Sequence, residues 1–171
     1  MFLNDYLMRM ILQFAVALQK ALNAQNMTPA QKADDLEQVV GDAVGIDPRL
    51  LFSMDADSLV SMLQLGDFDE EIGGYVLRSI YLEAEILDED GNTERADLRR
   101  SQADAIARAY GFDVTPADVT REALEDFLMR QELSDFGELG YEEADTARDT
   151  RWADVRPAPP TDHADYREPG L

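Results

Sequence analysis

Residues 75–111 read YVLRSIYLEAEILDEDGNTERADLRRSQADAIARAYG. In the first half Val76, Leu77, Ile80, Tyr81, Ala84 and Leu87 recur at steps of three and four, which is one face of an α-helix. Asp90-Gly91-Asn92 then interrupts the pattern with tight-turn chemistry. Thr93 opens a second helix carrying Leu98, Ala103, Ile106, Ala107 and Tyr110, and Gly111 closes it. Neither half alternates at period two, so a helix–turn–helix pair follows. The preceding Gly73-Gly74 is costly inside a helix, so the first helix is expected to firm up at Tyr75.

The same signals extend in both directions. Phe2, Leu3, Tyr6, Leu7, Met10, Ile11, Phe14, Leu18 and Leu22 trace one long amphipathic helix starting near Asn4 or earlier. Burying such a stripe contributes roughly 1.5–3 kcal/mol per large side chain before entropy is subtracted, so it requires a partner surface. Thr28-Pro29 and Asp47-Pro48 each pair a capping side chain with a proline suited to the first helical turn. Gly45 is a stop signal, and Gly41 with Gly45 makes a small-residue spacing that in a soluble helix reads as coincidence or close packing, not as a dimer motif. Asp55 or Asp57 caps a helix bearing Leu59, Val60, Met62, Leu63 and Leu65, which ends at Gly66. Thr115-Pro116 starts a short turn, and Ala123, Leu124, Phe127, Leu128 and Leu133 mark a last helix after Thr120. No stretch carries a strand or hairpin signature. The expectation is an all-α domain over residues 1–140, an irregular bundle or short helix-turn-helix superhelix of five to seven helices. A flexible, acidic, proline-containing tail is expected over 141–171.

Composition removes several chemistries. The 171 residues are 45% hydrophobic, enough for a core, and carry 36 acidic against 15 basic side chains, a net of −21. There is no cysteine, hence no disulfide, thiolate nucleophile or cysteine-held metal. The single histidine, His163, lies among the C-terminal prolines and is poorly placed as the base of a triad. The acidic balance argues against direct nucleic-acid binding and against an anionic membrane surface. After Arg9 the longest uncharged run is Met10–Gln19, ten residues, where a membrane span needs about 20. Ala15-Val16-Ala17 has the look of a signal-peptide cleavage site, but Asp5, Gln13 and the continuing apolar pattern favour a structural helix.

Four patterns bear on function. Residues 75–111 resemble one unit of a tetratricopeptide-type repeat in geometry, but that family's Trp, Gly and Pro landmarks and its roughly 34-residue period do not line up here. Asp88-Glu89-Asp90-Gly91-Asn92 fails as a calcium loop, because the sixth and twelfth positions hold Thr93 and Arg99. Glu122-x-x-Glu125 with Glu142-x-x-Asp145 resembles the paired acidic motifs of all-α nucleotide pyrophosphohydrolases of the MazG type. That resemblance implies four carboxylates on two facing helices holding magnesium, which activates a water. An acidic DNA mimic is a further alternative, though Arg95, Arg99 and Arg100 interrupt a uniform acidic face.

The opening Asp5-Tyr6-Leu7-Met8-Arg9-Met10-Ile11, with Phe14 and Leu18, resembles the first helix of a small all-helical bacterial family of unknown function. The likeness spans about residues 4–22 and implies an intracellular helical protein without known activity. The sequence as a whole reads as a non-catalytic cytoplasmic protein–protein interaction module without a cofactor. Its partner would be another protein or a second copy, a homodimer through the N-terminal helix. Tyr6, Met10 and Phe14 are the expected anchors, and Trp152 either pins the tail or belongs to a linear motif.

Overall fold

In the computed structural model, which describes residues 2–131 and their side chains from Asp5 onward, the chain is all-α. The helices are α1 (Phe2–Asn23), α2 (Pro29–Val44), α3 (Pro48–Leu51), α4 (Ala56–Leu65), α5 (Gly73–Glu89), α6 (Thr93–Tyr110) and α7 (Arg121–Gln131). Two 3-10 turns, Glu70–Ile72 and Pro116–Val119, precede α5 and α7. The chain divides into two compact units, residues 1–126 and 127–171, and the packing below belongs to the first. Leu133, the expected tail over 141–171, its start near residue 140, Trp152 and His163 lie outside the described residues.

Local chemistry sets the boundaries. Thr28 Oγ1 accepts from the Gln31 backbone N–H while the Gln31 side chain accepts from Thr28 N–H, a reciprocal cap on α2. Asp47 accepts from Arg49 N–H and Asp55 from Ser58 N–H, starting α3 and α4. Gly45 and Gly111 end α2 and α6 in the left-handed region, at φ 74° and 76°, where a Cβ would be strained.

Helix α5 is the axis of the bundle. It packs against α6, α2 and α1, and α4 leans on α6. Its Tyr75, Val76, Leu77, Ile80, Tyr81, Leu82, Ala84 and Leu87 are all buried, a near-continuous apolar surface that suits a helix surrounded by others. Where α2, α5 and α6 meet, the small residues Ala33, Ala84 and Ala96 pack beside Leu87, so the backbones approach closely.

Helix α5 begins at Gly73, two residues earlier than its composition predicts. A Cβ built on Gly73 would fall 2.0 Å from Phe112 Cζ, so the glycine is the floor on which the Phe112 ring sits. The loss of helix propensity is offset by that contact. Gly41 has a similar role, since a Cβ there would meet Pro48 Cδ at 2.7 Å.

Candidate functional site

The outer surface of α1 was expected to supply the site, and the structure divides its residues. Met10 and Phe14 are 7% and 0% exposed. Phe14 stacks on Tyr75 of α5, with ring centroids 5.8 Å apart, and Leu7, Ile11, Ala17, Leu18 and Ala21 complete the same buried face. Met10 and Phe14 are therefore core residues, because the stripe they belong to is covered in cis; they are not interface anchors. Tyr6 remains exposed.

Two other aliphatic side chains of α1 face outward. Leu12 and Val16, one helical turn apart, are 52% and 44% exposed. With Ala17 and Val39 they line a groove of about 350 Å³ between α1 and α2. Its edges carry Lys20 on α1 and Asp35 and Asp42 on α2. Asp42 accepts a hydrogen bond from Gln38 Nε2 at 2.8 Å, which fixes it on the α2 edge. Leu12 and Val16 fall off the main periodicity of α1, so stripe-counting passes over them.

A second feature lies inside the bundle. Glu83 of α5 and Arg99 and Gln102 of α6 are buried. Arg99 Nε donates to Glu83 Oε1 at 2.9 Å and Nη2 to Glu37 Oε2 of α2 at 2.9 Å. Its Nη1 donates to the Phe52 carbonyl at 3.1 Å, and its guanidinium stands 4.6 Å from the centroid of the Phe52 ring. Gln102 Nε2 donates to the Phe52 and Met54 carbonyls at 3.3 and 2.6 Å, satisfying backbone groups beyond α3. Arg95 Nη2 reaches Glu37 Oε2 at 2.5 Å. The signal was present in the spacing: Arg99 belongs to the series Ala96, Arg99, Ala103, Ile106, and Glu83 to Val76, Ile80, Glu83, Leu87. A charge at a stripe position carries no mark of the partner that makes its burial tolerable.

Among the described residues no group of three or more His, Asp or Glu side chains is placed to hold a metal ion, and only one of the two acid pairs falls within them. Glu122 and Glu125 are exposed on α7, and Glu125 accepts from Arg121 at 3.3 Å. Glu142 and Asp145 lie outside the described residues. Arg95 and Arg99 turn toward carboxylates of α2 and α5, and Arg100 binds Glu85, Asp88 and Asp97 at the surface, so all three arginines pair with carboxylates of the domain itself. A larger cleft of about 640 Å³ is edged by Lys32 and Arg121 together with Glu85, Glu89 and Asp90. Charges of both signs line it and converge on no single ligand charge. No described helix is long and apolar enough to cross a membrane.

No protein family, curated protein or solved structure matches the chain.

Proposed function

We propose that residues 1–126 form a non-catalytic protein–protein interaction module that receives a helix of a partner protein in the groove between α1 and α2. The single observation that carries this reading is the pair Leu12 and Val16, left about half exposed over an apolar floor on α1 while Leu7, Met10, Ile11, Phe14 and Leu18 are buried. An apolar patch rimmed by polar side chains is the usual sign of a docking surface. The occupant is an amphipathic helix with an aliphatic face and basic residues at its edge. Asp35 and Asp42 on the α2 side and the net charge of −21 favour a basic partner and disfavour a second copy of an equally acidic chain. A cytoplasmic setting belongs to the same proposal and rests on the cysteine-free sequence.

The test uses the full chain, isotopically labelled, and a synthetic leucine–lysine amphipathic helix. Shift changes should gather at Leu12, Val16, Lys20, Asp35, Val39 and Asp42. Each aliphatic side chain is worth about 1 kcal/mol of contact when its exposed half is buried. Losing the Leu12 contact alone weakens binding about fivefold, and a carboxylate desolvated in its place adds to that, so Leu12→Asp should weaken binding about tenfold or more and leave the melting temperature nearly unchanged. Equal affinity of Leu12→Asp and the wild type would reduce the interaction to charge alone and remove the groove from it. A solution mass near 38 kDa, about twice the 19.2 kDa of one chain, that Leu12→Asp returns to the single-chain value would make the occupant a second copy.

A further inference from the structure

Arg99 presents one edge of its guanidinium to two different carboxyl groups. That edge, Nε with Nη2, ordinarily takes both oxygens of a single carboxylate. Here Nε holds Glu83 Oε1 and Nη2 holds Glu37 Oε2, each at 2.9 Å. One oxygen from each of two carboxyl groups on a single edge sets the two carboxyl groups side by side. Arg95 Nη2 approaches the same two oxygens, at 3.8 Å from Glu83 Oε1 and 2.5 Å from Glu37 Oε2. The two carboxyl groups differ in surroundings. The Glu83 side chain is 1% exposed and that of Glu37 12%. The second oxygen of Glu83, Oε2, is buried and has no hydrogen-bond partner. An ionised carboxylate with a buried oxygen, in the interior and beside a second carboxylate, is strongly disfavoured. A proton on Glu83 removes that charge, and the Glu37 carboxylate beside it on the Arg99 edge is the neighbouring acceptor.

We propose that the folded domain binds one proton between Glu83 and Glu37, and that this proton fastens α2 to α5. Glu83 carries the proton and shares it with Glu37, which stays ionised against Arg99 and Arg95. Burial and then the Glu37 hydrogen bond push Glu83 well above its ordinary 4.5, against the opposing pull of Arg99. Burial also pushes Glu37 upward, but hydrogen bonds with Glu83 and Arg99 and the charges of Arg99 and Arg95 outweigh it and hold Glu37 below 4.5. The charged groups facing the pair are Asp34 from α2 and Arg95 and Arg99 from α6, with Asp34 3.9 Å from Arg95. Losing the proton leaves two like charges on one arginine edge and loosens α2, which is one wall of the groove. The inference stands on the buried cluster and does not depend on which partner the groove receives.

The sign of the pH dependence follows. The unfolded chain releases the Glu83 proton near 4.5, and the folded chain keeps it to a higher pH. The stability from Glu83 is therefore fully present below 4.5 and is lost as pH rises toward the raised value. Within that window the folding equilibrium constant falls by up to about tenfold per pH unit. Glu37 acts in the opposite sense, only at acid pH, so the test lies above 4.5.

Denaturant unfolding of the full chain and of Glu83→Gln should be followed from pH 5 to 9. Glutamine mimics the protonated acid, so the variant should match the wild type near pH 5 and exceed it increasingly as pH rises. Parallel curves would overturn the proposal, as would a variant already much weaker at pH 5. Infrared difference spectra on the wild type give a reading that does not require the variant to fold. At pH 7 one protonated carboxyl stretch should stand out among otherwise ionised acids, and Glu37→Gln should remove it by letting Glu83 ionise against Arg99. Absence of that band in the folded wild type would also overturn the proposal.

Discussion

The two adjacent glycines at the start of α5 should respond to alanine with opposite signs. At Gly74 a Cβ meets only Arg78 Nη1, at 3.1 Å, the far end of a flexible side chain. Gly74→Ala therefore gains helix propensity and loses unfolded-state freedom, together about 0.5–1 kcal/mol of added stability. At Gly73 the same methyl would lie 2.0, 2.5 and 2.7 Å from three ring carbons of Phe112, where carbon atoms ordinarily rest about 3.5–4.0 Å apart. Either α5 shifts or the ring swings away. Swinging away breaks its contact with Tyr110, whose ring centroid lies 6.2 Å off, and exposes the ring. Overpacking of this kind costs about 1–3 kcal/mol, and the depth of the overlap puts Gly73→Ala toward the upper part of that range. After subtracting the same propensity gain, a net loss of about 1–2 kcal/mol remains. Urea unfolding at pH 6, with equal m-values required of all three proteins, measures both effects. Reasoning from the Phe112 contact fails if Gly73→Ala is as stable as the wild type, or if the two alanines shift the midpoint in the same direction.

Two further substitutions probe the interior. Arg99→Met removes the charge from between Glu37 and Glu83 and should cost about 3–5 kcal/mol by urea unfolding at pH 7; adding Glu83→Gln should recover part of that, and strict additivity of the two would show that the residues do not share a network. Tyr81→Phe keeps the buried ring but deletes the 2.5 Å hydrogen bond from Tyr81 to Asp104, for an expected loss of about 1–2 kcal/mol, and no loss would mean that water takes the place of the phenol.

What could be read from the sequence was what is decided locally. Thr28-Pro29, Asp47-Pro48 and Asp55 place helix starts because a cap bonds to backbone two or three residues away, and Gly45 and Gly111 place ends for a similarly local reason. Gly73 was misjudged because what it accommodates, Phe112, lies far along the chain. Glu83 and Arg99 were passed over because their partners come from other helices, and each alone resembles a solvated charge. The site on α1 was half legible. Its amphipathic stripe was evident, but a wide stripe does not show how much of itself the domain will cover. Phe14 went to Tyr75, and the exposed aliphatic residues proved to be Leu12 and Val16, off the main face.

The inward arginines bear on the groove as well. Basic residues are scarce in this chain, and α6 directs Arg95, Arg99 and Arg100 toward carboxylates of α2, α5 and α6 itself. These arginines are thereby taken up by carboxylates of the domain itself, and the surface field keeps the acidic sign of the net charge of −21. An apolar groove in such a field selects a partner by two terms with different physics. Contact with Leu12, Val16 and Val39 is indifferent to moderate salt, while attraction of a basic helix to Asp35, Asp42 and the wider surface is screened over about 8–10 Å at physiological ionic strength. The buried pair Glu83–Arg99 lies beyond the reach of that screening. Raising salt should therefore weaken the partner helix and leave the pH dependence carried by Glu83 in place, which separates the surface electrostatics of the groove from those of the core by a single variable.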